Sequence, residues 1–225
     1  MLLSFTCLRK RKGETTVAEF FVKHWDEILQ ATLEHIWLVG VAMALAIAIG
    51  VPLGILITRR PWLSKPILGG ANVAETIPSL ALFGFLLPLP WLGVRADRLA
   101  IAALTLYALL PIIRNTVTGI SGVDPAVREA ARAMGMTGRQ ILFQVELPLS
   151  VSTVLAGVRV ATVLTIGVAT IAAAVGAGGL GEFIFRGLAM VNDQLILAGA
   201  IPAAVLALSA DFLLSLIERR LRPAQ

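Results

Sequence analysis

The sequence predicts an all-α membrane protein of about five spans, and three observations carry that prediction. The chain of 225 residues is 57% hydrophobic and only 15% charged, well below the ~25% charge of an ordinary soluble domain. The few charges are also unevenly spread. None lies between Glu34 and Arg59, between Glu75 and Arg95, or between Arg98 and Arg114; Arg159 alone interrupts the stretch from Glu146 to Glu182, and Asp211 alone that from Asp193 to Glu218. A membrane helix needs roughly 20 mainly apolar residues, and a buried soluble helix explains one such run but not five. Finally, the basic residues gather beside these runs, as topology signals do.

Taken in order, residues 1–16 read as a polar tail. Its apolar start is too short, and wrongly ordered relative to its charges, for a signal peptide. Residues 17–31 place Val17, Phe20, Phe21, Trp25, Ile28 and Leu29 roughly on one helical face, too charged to span, which predicts a helix lying in the membrane interface. The remainder, 32–220, reads as the transmembrane domain, with spans at roughly 33–58, 70–91, 97–113, 148–175 and 194–217. A polar region at 121–148 separates the third and fourth. A glycine-rich stretch, Gly176 to Gly181, opens a loop that ends near Asp193. Pro78, Pro88, Pro111 and Pro202 are expected to break or kink helices, and Gly50 with Gly54 to form a small-residue helix contact.

Counting Lys and Arg sets the orientation. Ten of them (Arg59, Arg60, Lys65, Arg114, Arg128, Arg132, Arg139, Arg219, Arg220 and Arg222) fall on the side of the 121–148 loop and the C-terminus, and three (Arg95, Arg98 and Arg186) on the other. The positive-inside rule therefore predicts a cytoplasmic C-terminus in a multi-pass membrane protein. Trp37, Trp62 and Trp91 near span ends fit an interfacial belt. Five spans would leave Arg9, Lys10, Arg11 and Lys12 outside, against the rule. Either later charges outweigh them, the true start lies downstream, or the topology is wrong. The net charge of +5 is accounted for by span-end basic residues, so nucleic acid is not an expected partner. A single cysteine, Cys7, excludes an intrachain disulfide and a cysteine-rich metal site.

The polar loop carries the most chemistry. Asp124 before Pro125 is a helix start, a cap followed by a first-turn proline. Residues 125–134 are alanine-rich and helical, Gly135 and Gly138 permit a sharp turn, and a second short helix fits 139–147. The predicted product is a compact helix–turn–helix knob suited to a partner's groove. Glu129-Ala130-Ala131, then Gly135, then Val145 and Leu147-Pro148 resembles the signature loop of binding-protein-dependent ABC importer permeases, with valine where isoleucine is usual. Thr76-Ile77-Pro78-Ser79, Leu110-Pro111 through Gly119, and Ala177 through Gly181 resemble the glycine betaine, carnitine and choline branch of that family, over roughly residues 30–220. The resemblance implies a type I ABC importer permease fold in the bacterial inner membrane. It further implies that Glu129, Ala130, Ala131, Gly135, Gly138, Leu147 and Pro148 form a cytoplasmic coupling helix and turn seated in a separate ATPase subunit. Implied partners are that ATPase with its ATP and Mg, a second permease chain, an extracytoplasmic substrate-binding protein and membrane lipid.

Other candidates are weaker. Gly176 to Gly181 matches G-x-G-x-x-G, but it follows an apolar span rather than a strand, so no dinucleotide site is expected. Glu75, Arg159 and Asp211 are intramembrane charges, which either pair or snorkel structurally or face a path. Thr76, Pro78, Ser79 and Asn115 are the candidate translocation path, because breaks at membrane depth line cavities. His24 and His35 are expected at the interface rather than as ligands. With no phosphate loop, the chain is not expected to hydrolyse ATP by that route; the resemblance implies a transport subunit rather than an enzyme. With one tyrosine and interfacial tryptophans it lacks an aromatic cage for a quaternary ammonium, so selectivity is expected in the binding protein. An amino-acid or other small-solute permease, a gradient-driven carrier and a membrane enzyme are the rival readings.

Overall fold

The computed structural model describes residues 17–91, 93 and 95–221. The predicted tail at 1–16, with its four basic residues, and Arg222 lie outside these. Among the described residues the chain is helical, in ten α-helices: α1 Val17–Lys23, α2 Trp25–Arg59, α3 Ser64–Thr76, α4 Ser79–Leu86, α5 Ala96–Ser121, α6 Pro125–Ala133, α7 Gly138–Ile141, α8 Leu147–Ala172, α9 Gly181–Met190 and α10 Asp193–Arg220.

Four helical segments are long and apolar enough to cross a membrane: α2, α5, the continuous run from Gly138 to Val175, and α10. The predicted second span is a broken one. At 1.5 Å per residue α3 is about 20 Å long and α4 about 12 Å, so neither crosses a ~30 Å hydrocarbon core alone. The break falls at Ile77 and Pro78, both extended (ψ 128° and 136°). Proline disfavours helical backbone in the residue before it.

Three other boundaries differ from expectation. The predicted interfacial helix splits at His24: only α1 stands apart, and Trp25 onward belongs to α2. Nothing between Trp25 and Glu34 disrupts a helix, Gln30 donates to Glu34 one turn on (3.2 Å), and the amides of His24 and Ile28 keep their helical bonds. The predicted second helix of the knob does not stop at Leu147 but runs into the fourth span through a π-helical turn, Leu142–Glu146. Pro148 follows that widened turn; a proline ring collides with the carbonyl four residues back in a regular helix, and a π turn relieves such crowding. The supposed loop after Gly181 contains α9. Pro111 and Pro202, like Pro52, sit inside unbroken helices, whereas Pro88 lies in the turn after α4.

α5 is the centre of the bundle, packed against α2, α8, α3 and α4, while α10 packs on α8 and α9. The main core is built largely from small residues: Ala42 and Ala46 of α2, Ala100 and Ala103 of α5, and Ala161 and Ala169 of α8 surround Leu38, Phe83, Leu99 and Leu104. In lipid, helix association depends on close packing rather than on escape from water, which favours such residues. At Gly54 an added Cβ would sit 2.5 Å from that of Thr116, and at Gly50 2.9 Å from the Ile112 side chain. The predicted glycine pair thus faces α5. By contrast, α10 turns Val205, Leu208, Phe212 and Leu213 outward, all more than half exposed, as a helix bathed in lipid or covered by another membrane chain does.

Candidate functional site

The knob forms as local chemistry dictates. Asp124 Oδ1 accepts the Ala126 amide at 2.8 Å, capping α6 with Pro125 in its first turn. At the other end Gly135 takes φ +80°. Its amide bonds Arg132 O (2.9 Å), and the Met136 amide bonds Ala131 O (3.1 Å). That pair of bonds is the Schellman stop, whose left-handed residue is best filled by glycine. Thr137 and Gln140 then cap α7 reciprocally, each side chain accepting the other's amide. Ala131 is buried at 1% exposure, and Ile141 is buried too. Glu129, Ala130, Gly135 and Gly138 are exposed, as are Met134 and Phe143, the latter under the Arg139 guanidinium at 5.9 Å. Leu147 is half-buried and Pro148 exposed, both where α8 leaves the π turn.

Behind the knob lies a charged joint that sequence reasoning missed. Glu146, the last residue of the π turn, is 3% exposed. Its Oε2 accepts a hydrogen bond from Arg59 at the end of α2, and its Oε1 lies 3.0 Å from Nε of Arg128 on α6. Arg128 also donates to the carbonyl of Ile120 near the end of α5. Thr58, Ser121 and Arg132 complete the walls of a polar cavity of about 230 Å³ beside it.

Of the intramembrane charges, Arg159 on α8 bridges α10, its Nε 3.0 Å from Asp211 Oδ1 and its Nη1 3.0 Å from Glu218 Oε2. In sequence Glu218 marks only the end of a span. Glu75, half-buried on α3, forms no ion pair among the described residues. Thr76, Pro78 and Ser79 gather at the break between α3 and α4, where Thr76 and Pro78 are exposed. The lone tyrosine supports this break: the Tyr107 hydroxyl of α5 donates to the carbonyl of Ile77. Asn115 does not join that group. It sits elsewhere on α5, donates to Pro111 O (2.8 Å) and packs where Gly157 has no side chain.

At the opposite end of the bundle, Gly176, Gly178 and Gly179 all have φ near +80°, and the Gly179 amide donates to Glu34 Oε2 at 3.2 Å. The chain's own carboxylate occupies this glycine loop, and no strand precedes it among the described residues, so no dinucleotide fold is present there. His35 is fully buried rather than interfacial, its Nε2 3.1 Å from Ile166 O; the helix that carries it simply starts earlier than expected. No cluster of metal-ligating side chains occurs among the described residues.

Taken together, an apolar helical bundle, a broken span and a capped knob tied to the span ends define a membrane transport component. The chain belongs to the family described as binding-protein-dependent transport system inner membrane component, which matches residues 50–223. It is 44% identical over 207 residues, 92% of its length and 94% of the relative's, to the carnitine transport permease protein OpuCB of Listeria monocytogenes. To the osmoprotectant import permease protein OsmW of Salmonella typhimurium it is 45% identical, covering 85% of this chain and 90% of that one. The choline transport system permease protein OpuBB of Bacillus subtilis is 41% identical, covering 92% of this chain and 94% of that one. Among solved structures, an inward-facing form of the MetNI methionine ABC transporter aligns with a TM-score of 0.77 at 23% identity, covering 86% of this chain and 95% of that one. A chain of an amino acid ABC transporter aligns equally well at 20% identity, covering 92% and 99% respectively. These structural likenesses bear on the fold, which is that of the type I importer permeases.

Proposed function

We propose that this chain is the permease of an ATP-driven importer for a small osmoprotectant such as glycine betaine, carnitine or choline. The observation that carries the mechanism is the knob: a doubly capped helix and turn whose Glu129, Ala130 and Met134 are exposed while its rear is tied to three span ends. Such a surface suits the groove of a separate ATPase subunit, which would supply ATP and Mg. Closure of the ATPase pair would push the knob, rock the spans and open the path to the outside. A binding protein would deliver solute there, and hydrolysis would reset the spans. Two permease chains would enclose the path, with the α3–α4 break and its Thr76, Pro78 and Ser79 on the inner wall; broken helices at membrane depth are where transporters place their path. The knob and the C-terminus would face the cytoplasm. Relatives at 40–45% identity over most of the chain favour quaternary ammonium solutes over amino acids.

The test is co-purification with the ATPase subunit, paired with ATP-driven uptake into vesicles supplied with binding protein. Wild type is expected to hold the ATPase and to take up labelled glycine betaine, carnitine or choline. Gly135→Asp, which forces a side chain into a left-handed position, and Glu129→Lys are expected to lose the ATPase or to uncouple it. Uptake that persists without ATP, or a wild-type chain that never retains an ATPase, would replace this reading with a gradient-driven carrier; uptake of amino acids alone would replace the substrate class.

A further inference from the structure

We propose that Glu146 is a positioning residue through which movement of the coupling knob reaches the spans. The inference rests on the importer reading and deepens it. In sequence Glu146 is one polar residue ahead of Leu147-Pro148. In the fold its carboxylate is the most enclosed charge of this end, at 4% side-chain exposure, held between Arg59, itself 39% exposed, and Arg128, at 22%. The two guanidiniums come from different elements. Arg59 ends α2, and Arg128 lies on α6 and also holds the Ile120 carbonyl of α5. One carboxylate on the α8 side thus joins the ends of α2 and α5 to α6.

The covalent links around α6 are weak mechanical connections. On one side the chain passes from α5 through Gly122 to Asp124, and on the other it turns at Gly135 to Thr137. Stiffness between knob and spans must therefore come from side-chain contacts, and Arg128 supplies the charged ones, an ion pair with Glu146 and a hydrogen bond to the Ile120 carbonyl. The π turn helps to aim the carboxylate. One extra residue in a helical turn rotates the C-terminal part of the helix by about 100° relative to the N-terminal part, which lets Glu146 face Arg59 and Arg128 while Leu147 onward keeps its register against α5. Local charge balance points the same way. Arg59, Arg128 and Arg132 line one polar cavity with Glu146 as the single carboxylate. Without that charge, the cavity keeps three arginines and no carboxylate among its lining residues, which favours separation of the knob from the span ends.

The test compares wild type with Glu146→Gln, Glu146→Asp, Arg59→Gln and Arg128→Gln in the complete transporter. Retained ATPase, basal hydrolysis, stimulation by loaded binding protein and solute moved per ATP are each measured. Glu146→Gln is expected to keep the ATPase bound and hydrolysing while stimulation and solute per ATP fall about tenfold, the scale set by losing a charged hydrogen-bond partner. Glu146→Asp should recover part of the coupling. Each arginine variant should show a milder form of the same split, and Glu146→Gln combined with Arg128→Gln should cost no more than Glu146→Gln alone. Solute per ATP at the wild-type level in Glu146→Gln would overturn the proposal. So would loss of the ATPase from both Glu146→Gln and Arg59→Gln, which would make the joint a support for docking only. If Glu146→Gln fails to accumulate in the membrane, the Arg59→Gln split decides. A wild type that holds no ATPase sinks the importer reading instead, and that is seen before any variant is compared.

Discussion

Tyr107 shows how much a single side chain can hold in a membrane. Breaking a helix at Ile77 and Pro78 frees backbone groups, and one left unsatisfied at membrane depth costs several kcal/mol. The Tyr107 hydroxyl donates to the Ile77 carbonyl from an 8% exposed position on α5. Tyr107→Phe removes that donor and nothing else of size, so a loss of about 1–3 kcal/mol is expected. It should appear as a lower thermal midpoint of the purified protein in detergent; an unchanged midpoint would mean that the carbonyl finds another donor. None of this was legible in the sequence, because the two residues lie 30 positions apart and only the break itself was marked, by proline. Glu146 was missed for the same reason, with Arg59 87 positions away. Arg159 was legible as a cost, since an arginine in an apolar run demands an explanation, yet Glu218 as its second partner was not. Local chemistry, by contrast, was readable residue by residue: Asp124, Pro125 and Gly135 occupy the cap, first-turn and stop positions that their side chains dictate.

At the scale of elements, charge-free length located the spans and misjudged how they end. A helix ends where its backbone loses a continuation, not where hydrophobicity does. α5 therefore runs on past Arg114 to Ser121, and α2 starts at Trp25, well ahead of the apolar stretch. Pro148 resembles a boundary in sequence because proline usually is one; the π turn before it was not foreseeable from composition. α9 escaped notice because it is ten residues long and follows glycines. The contact between α2 and α5 was better marked, since two glycines four apart in an apolar run imply a close neighbour. Gly54→Ala would set a methyl 2.5 Å from Thr116 Cβ, far inside van der Waals contact. Overpacking of this kind costs about 1–3 kcal/mol and should lower the yield of folded protein from membranes. Thr116→Gly removes the opposing Cβ, so the double variant should recover part of the loss. If Gly54→Ala alone is neutral, the two helices are free to separate and are not a fixed pair.

For the molecule as a whole, the distribution of charge distinguishes two ends that helices alone do not. Arg59, Arg60, Arg128, Arg132, Arg139, Arg219 and Arg220 lie toward the end that carries α6, and Arg95, Arg98 and Arg186 toward the end that carries the glycine loop and α9. The 26 residues of α8 separate these ends by about 39 Å at 1.5 Å per residue, more than a hydrocarbon core. In the proposed importer the ATPase is useful only if it meets the permease on the side where ATP is made, so the proposed orientation and mechanism stand or fall together. Two exposed methionines report on it: Met134 beside Gly135 at 75% exposure, and Met190 at the end of α9 at 65%. With Cys7→Ser removing the only native thiol, Met134→Cys should react with an impermeant maleimide only in inside-out vesicles, and Met190→Cys only in intact cells. The reverse pattern would place the knob outside, where no ATPase can reach it, and would refute the positive-inside assignment and the coupling mechanism together. Labelling of both from one side would mean that the α8 run does not cross the membrane.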